Sequence, residues 1–231
     1  MRIFGLALVA LTPGWPIRRF FYRVFFKFKI APGARIGMLN LLDVRSLEMG
    51  EGACIQGIGN VFMSVHSVKM GPYSRIGSPR VGMNLFRGTA NKPTYPTSTL
   101  TLGPCTLITL FHYFDLAGDI TFGANCVVGG IRCVFFTHTL YMPQFEPVTI
   151  GDRVYIGSNA LFQMGSSIAS DSIVGMGAVV VSKIDEPDAL VVGLPARVAR
   201  SSYGYDARAA FELRRRPFFD GERVVKPGPP A

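Results

Sequence analysis

From Ile150 to Asp185 the chain repeats itself every six residues, as IGDRVY, IGSNAL, FQMGSS, IASDSI, VGMGAV and VVSKID. The first place of each block is aliphatic or Phe: Ile150, Ile156, Phe162, Ile168, Val174 and Val180. The fifth place is mostly small, at Val154, Ala160, Ser166, Ser172 and Ala178, with Ile184 as the exception. A period of six is neither the 3.6 of a helix nor the 2 of a strand. It suits a short strand followed by a corner, with three blocks closing one coil of a triangular solenoid. The first-place residue then fills the interior of the prism, and the fifth sits at a crowded inner corner. Gly at the second place (Gly151, Gly157, Gly175) is expected to serve a tight corner backbone. Ordinary buried strands would also read as aliphatics punctuated by glycine, but they would not hold one phase through six blocks.

The same signal recurs upstream at Ile30, Ile36, Met49, Met70, Leu102 and Phe122. The intervals from Met49 to Phe122 are 21, 32 and 20 residues, more than one eighteen-residue coil, so the early coils carry insertions. The longest candidate is Arg87–Ser98, whose Pro and polar residues suit an exposed loop. From Phe122 the blocks read FGANCV, VGGIRC and VFFTHT, and the phase breaks at LYMPQFEPVT before resuming at Ile150. After Asp185 come a turn, one more apolar strand (ALVVG) and LPARVAR; the tail is expected to hold a brief helix near Asp206–Arg215 and to end disordered in PGPPA. The organisation that follows is an N-terminal arm over 1–29, a β-solenoid over 30–196 and a C-terminal extension over 197–231.

Charge is concentrated in the arm. Residues 1–35 hold seven basic residues and no acidic one, against a net charge of +9 for all 231 residues, while 36–182 balance at eight against eight. Arg2 and the apolar run to Leu11 imitate a signal peptide, but Thr12-Pro-Gly-Trp-Pro offers no small-x-small cleavage site. Pro16 suits the first turn of a helix. On helical spacing Ile17, Phe20, Phe21, Val24, Phe25 and Phe28 then share one face, with Arg19, Arg23 and Lys27 elsewhere. That pattern reads in two ways, as an interfacial membrane helix or as a cap over the open end of the solenoid. No apolar run approaches the roughly 20 residues of a membrane span. Nucleic-acid binding is disfavoured because the solenoid is neutral and the basic arm is strongly apolar. The four cysteines form no C-x-x-C pair and read as small buried thiols in a reducing compartment. No Gly-rich nucleotide-binding loop is present.

His138 draws attention because, counted from VFFTHT, it occupies a fifth place just before the phase breaks. An imidazole projecting from a rigid coil edge toward a loop can take a proton from an attacking hydroxyl and return one to a leaving group, and a positioned base of this kind contributes roughly 10²–10⁴-fold. His112 also falls at a fifth place, and His66 lies in VFMSVHSVK; packing is the competing reading for both. No acid stands in an obvious partner position for His138. Glu146 is near in sequence, on the interrupting loop.

The ordered set His138, PVTIGDRVYIG (Pro147–Gly157), SKIDEP and GLPARVAR resembles the hexapeptide-repeat acyltransferases, most strongly over about residues 100–200. The resemblance implies an all-β fold, a left-handed parallel β-helix, here with a short helical arm and a C-terminal tail. Within that family the chain is similar to the acetyl-CoA-dependent O-acetyltransferases of sugars and polysaccharides, its arm and early repeats looking more like the exopolysaccharide branch. The resemblance implies His138 as catalytic base and Ser158, Met176, Ser182, Lys183, Arg197 and Arg200 as ligands of the coenzyme. It implies Asp115 at the acceptor sugar; His112 or His66 could line the same acceptor cleft. Lys183 and Arg197 offer cations for phosphate, and Ser158 and Met176, eighteen apart, stack on one edge. GMGAVVVSK has one residue more than the commoner form between its second Gly and Lys, which bears on Met176 more than on Lys183. Tyr155 stands where the family usually has Trp. The family further implies a homotrimer with sites between subunits, in the cytoplasm or peripherally on the inner face of the membrane.

Three other readings compete. A zinc hydratase on this fold needs three imidazoles on one metal, and the paired His-x4-His of that family is missing. An N-acetyltransferase for an amino sugar or other amine could use the same base. A non-catalytic trimeric scaffold tethered to the membrane would tolerate change at His138 and bind no coenzyme.

Overall fold

The computed structural model describes residues 2–92, 94–139 and 144–204. Its body is a left-handed parallel β-helix of short strands wound as a three-faced coil. One face is a sheet of nine strands, parallel from Arg35–Ile36 through Leu190–Gly193 and closed by the antiparallel strand Ala196–Arg200. The other two faces merge into one sheet because the long strand Val61–Met70 pairs with Leu85–Gly88 at one end and with Thr99–Leu102 at the other. The solenoid sheet therefore runs on to Arg200, four residues past the boundary expected at 196.

The repeat signals of the sequence fall in register. Ile30, Met49, Met70, Leu102, Phe122, Ile150, Ile168 and Ile184 form one column of strand partners, so the early insertions leave the column intact. Every first-place residue from Ile150 to Val180 is buried, and so is every fifth-place residue from Val154 to Ala178. The second-place glycines are required for a different reason than expected. None has a positive φ; that conformation falls two residues on, at Arg153 (φ 55), Asn159 (φ 59) and Gly177 (φ 70). A Cβ on Gly151 would instead lie 2.7 Å from the Ser170 nitrogen, and one on Gly157 2.8 Å from the Met176 nitrogen. These glycines make room for the next coil.

The phase does not run cleanly from Phe122, however. Cys133 and Phe135 are buried, whereas Arg132 is exposed and Val134 half-buried. One extra residue in the Gly129–Cys133 corner slips the frame, which removes His138 from a fifth place and puts it on the outer surface beside the buried Thr137.

Two side-chain columns run along the interior. Phe62, Phe86, Phe114, Phe135 and Phe162 stack face to face, with centroids 4.2, 4.7, 4.8 and 4.6 Å apart and planes within 9° of parallel. Each ring comes from the same place of a successive coil, so strand spacing of about 4.8 Å imposes the stacking distance. The second column lines an inner corner. Asn84 Nδ2 donates to Asn60 Oδ1 (2.9 Å), and Asn60 Nδ2 donates to Asn40 Oδ1 (2.8 Å), satisfying amides that would be costly to bury alone.

The arm forms two helices, α1 (Arg2–Leu11) and α2 (Trp15–Val24). They pack on the first coil, burying Leu6, Val9, Tyr22 and Phe28 against its apolar end. Arg18 is buried with them and ties α2 down, donating to the Thr12 carbonyl (2.8 Å) and the Ile36 carbonyl (3.1 Å). Burial pushes the Tyr22 hydroxyl up to about 12. The tail helix expected near Asp206–Arg215 lies outside the described residues.

Candidate active site

The strand Tyr113–Leu116 pairs with Val134–Phe135 in a register that sets Tyr113 against Val134 and Phe114 against Phe135. Carried one residue further, this sets Asp115 opposite Phe136, beside the Thr137–His138 corner. Asp115 Oδ2 accepts the backbone N–H of Thr137 (3.0 Å) and is 2.6 Å from His138 Nδ1. Thr137 braces the corner: its hydroxyl donates to the Asp115 carbonyl (2.7 Å) and accepts the N–H of Gly118 (2.8 Å). The Asp115 side chain is 5% exposed and that of His138 21%, so a sealed carboxylate holds a ring with one accessible edge. A carboxylate can only accept, so Nδ1 carries the hydrogen and Nε2 is left with the lone pair. That is the tautomer a general base needs.

Asp115, the residue expected at the acceptor sugar, has its Oδ2 engaged by the histidine and its corner. The partner of His138 is therefore this residue rather than Glu146, whose carboxylate lies over Gly165. The signal was available in the sequence, since coils 21 residues apart bring 115 to 136 and its neighbours, but the slipped frame concealed it.

His112 sits at a true inner corner, counted from Ile108, and is buried there at the end of the asparagine column. Its backbone N–H donates to Asn84 Oδ1 (2.9 Å), its Nδ1 accepts the N–H of Cys133 (3.1 Å), and its Nε2 meets Thr109 Oγ1 (2.8 Å). Both ring nitrogens are used inside the coil, leaving nothing for an acceptor. Burial lowers its pKa to about 4. The unfolded chain titrates near about 6.5 and binds more protons between these values. The stability of the neutral, buried ring is thus complete above pH 6.5 or so and lost as pH falls toward 4, by about 3 kcal/mol. His112→Asn, which prolongs the asparagine column, is expected to flatten that dependence. Urea midpoints at neutral and mildly acid pH check it, and an equal slope in both proteins refutes it. His66, also pushed down by burial, lies among the early coils away from this corner.

Around His138 the insertions supply aromatic rings. Phe145 bridges to the His138 backbone and lies nearly parallel to its ring, at 6.2 Å and 15°. Tyr95, from the 87–98 insertion, meets Phe145 edge-on at 5.1 Å, and the Lys92 ammonium sits 4.7 Å over the Tyr95 ring. Tyr113 packs on Phe136 at 6.0 Å. Burial and then the Asp115 charge raise its pKa, against the Arg87 guanidinium that hydrogen-bonds it. Apolar ring faces beside cations and a base form a wall suited to a polar, ring-shaped ligand.

The residues expected at the coenzyme lie elsewhere on the coil. Ser158 and Met176 are neighbours on successive coils, the N–H of Gly177 donating to the Ser158 carbonyl (2.9 Å), and the Met176 side chain is 78% exposed. Ser158 Oγ also accepts the N–H of Ile131 (3.2 Å). Their corner precedes the face of Leu161–Phe162, whereas the His138 corner follows that face one coil below, so one chain keeps them on different edges. Ser182, Lys183, Arg197 and Arg200 are exposed at the C-terminal end, Arg200 over the Tyr203 ring at 5.5 Å. Arg197 pairs with Val192 across the closing hairpin. Among the described residues, no three of His, Cys, Asp or Glu converge as a metal site would require.

Residues 147–182 match the family model described as the hexapeptide repeat of succinyl-transferase. The galactoside O-acetyltransferase of Escherichia coli K12 is 35% identical over 66 residues, covering 29% of this chain and 32% of that protein. The serine acetyltransferase of Mycobacterium tuberculosis is 35% identical over 95 residues, covering 41% of this chain and 32% of that protein. The chain thus spans about a third of the length of these relatives. Among solved structures, the polysialic acid O-acetyltransferase OatWY superposes with a TM-score of 0.56 over 80% of this chain and 94% of its own, at 15% identity. The fold is a left-handed β-helix, its segment 147–182 is similar to the hexapeptide repeat, and the curated relatives it matches in part are acetyltransferases.

Proposed function

We propose that the protein transfers an acetyl group from acetyl-CoA to a hydroxyl of a saccharide, with His138 as general base and Asp115 holding it. The observation that carries this reading is the 2.6 Å contact between His138 Nδ1 and a carboxylate that is otherwise sealed. Nε2 takes the acceptor hydroxyl proton as that oxygen bonds to the thioester carbonyl carbon. The C–S bond then breaks, and the proton returns from Nε2 to the departing thiolate. As the ring becomes an imidazolium, the Asp115 carboxylate stabilises its charge. The rings of Tyr95 and Phe145 support a sugar face beside the base, and the names of the E. coli and polysialic acid relatives favour a saccharide acceptor.

Lys183 and Arg197 are the cations for the coenzyme phosphates, with Ser182 and Arg200 beside them and Ser158 and Met176 along the pantetheine. Because one chain sets the Ser158–Met176 edge and His138 on different corners, the complete site forms between neighbouring subunits of a homotrimer. The test is release of CoA from acetyl-CoA with and without a panel of saccharides. Release should depend on the acceptor, and Lys183→Ala and Arg197→Ala should each raise the KM for acetyl-CoA roughly tenfold with little change in kcat, as loss of one charged hydrogen bond predicts. Wild-type protein that binds no CoA by calorimetry would remove the reading.

A further inference from the structure

The two helices cap the solenoid with one side only. Leu6, Val9 and Tyr22 face inward, while Phe4, Leu8, Phe20 and Phe25 remain 78%, 70%, 58% and 65% exposed. Phe4, Leu8 and Leu11 fall at i, i+4 and i+7, one stripe along α1. On α2 the exposed stripe continues through Phe20, Val24 and Phe25, with the Phe21 and Phe25 rings stacked at 5.6 Å. The residues that could have been spent on the core have therefore already been spent, and a second apolar surface is left over. Soluble surfaces rarely leave so many large apolar side chains together unless something covers them.

The charge beside this surface indicates what that is. Residues 1–35 hold no acidic residue and seven basic ones, of which Arg18 is buried, Arg2 and Arg19 donate to backbone carbonyls, and Arg23 and Lys27 are exposed beside the apolar stripe. Arg19 and Arg23 line a shallow groove along α2 with Trp15, Pro16, Phe20 and Val24. Lys27, Lys29 and Lys69 continue the basic surface along the adjoining groove over the first coils, where Lys29 is paired with Glu48. The body of a second copy carries no net charge opposite to the arm, because residues 36–182 balance at eight charges of each sign. An anionic lipid surface meets both requirements, taking the Phe and Leu stripes into the acyl boundary and the Arg and Lys heads among phosphates.

We infer that the outer faces of α1 and α2 dock the capped end of the solenoid on an anionic membrane surface. Neither helix crosses it: among the described residues no helix is long and apolar enough to span a bilayer. The inference stands on the arm alone and is independent of the acetyl-transfer reading.

Flotation of the full-length protein with vesicles tests it, using phosphatidylglycerol mixed with phosphatidylcholine against phosphatidylcholine alone. Binding is expected to the anionic vesicles and to weaken with salt. Phe20→Ser with Phe25→Ser should reduce it by roughly tenfold or more. Arg23→Gln and Lys27→Gln should each reduce it about fivefold on anionic vesicles only. The substituted side chains point outward, so thermal melts of the variants should match the wild type. Failure of the wild type to float, or flotation unchanged in the Phe variant, overturns the inference. If the Phe variant instead lowers the oligomeric mass in sedimentation while vesicle binding is absent, the surface belongs to a second copy of the chain.

Discussion

His138→Ala is expected to lower kcat by roughly 10²–10⁴-fold, the range a positioned general base contributes, while leaving the KM for acetyl-CoA and the melting temperature close to those of the wild type. The fold should be indifferent because the His138 side chain is only partly buried and its corner is held by Thr137, not by the imidazole. Steady-state CoA release with a productive acceptor reads the effect. A variant retaining most of the rate would show that His138 is not the base. Asp115→Asn is the companion experiment. The amide keeps an acceptor for the Thr137 N–H and for Nδ1–H, but it removes the charge that steadies the imidazolium. A loss of roughly ten- to a hundredfold in kcat follows from exchanging a charged for a neutral hydrogen bond. Asp115→Ala is less informative, since it leaves the buried Thr137 N–H unpaired and lowers stability as well.

The pairing of these two residues shows where reading the sequence stops. The six-residue period from Ile150 specifies the solenoid because each place of the repeat has its own steric demand, and burial follows it place by place. Even the irregular early coils keep their column from Ile30 to Phe122, because insertions at corners cost a parallel ladder nothing. The His138 corner obeys no such rule. One extra residue between Gly129 and Cys133 moves His138 off the inner column, and a single-residue slip exchanges inside for outside. His112 misleads for the opposite reason. It keeps the period, and keeping the period is what buries it. The aromatic wall was legible only as regions that fail to repeat, since the contact between Tyr95 and Phe145 joins two insertions whose paths no periodicity dictates. The arm carried both of its readings in the sequence. An amphipathic helix on the end of a solenoid has two sides, and the cap uses only one of them.

The stacked phenylalanines lead to the largest expected change in stability. Phe114 is fully buried, between Phe86 at 4.7 Å and Phe135 at 4.8 Å, with the Phe122 ring edge-on at 6.3 Å. Truncation at Phe114→Ala removes a ring from the middle of the column. The rings on either side cannot close the gap, because each is fixed to its own coil by the strand ladder. The loss is therefore at the full end of the range for such substitutions, about 3–5 kcal/mol, which for a chain of this size lowers the melting temperature by roughly 10 °C. Phe162→Ala, with a column partner at 4.6 Å on one side, should cost less. A solenoid couples each coil only to its neighbours, so the defect at Phe114 should also divide the melt, with coils on its two sides unfolding at separate temperatures. Calorimetry distinguishes the outcomes: two resolved transitions support a column that carries cooperativity along the coil, and a single undisplaced transition shows that the backbone ladder alone suffices. Because Asp115 follows Phe114 in the same strand, acetyl transfer in the variant should fall before the fold is lost, as the carboxylate ceases to hold His138 in place.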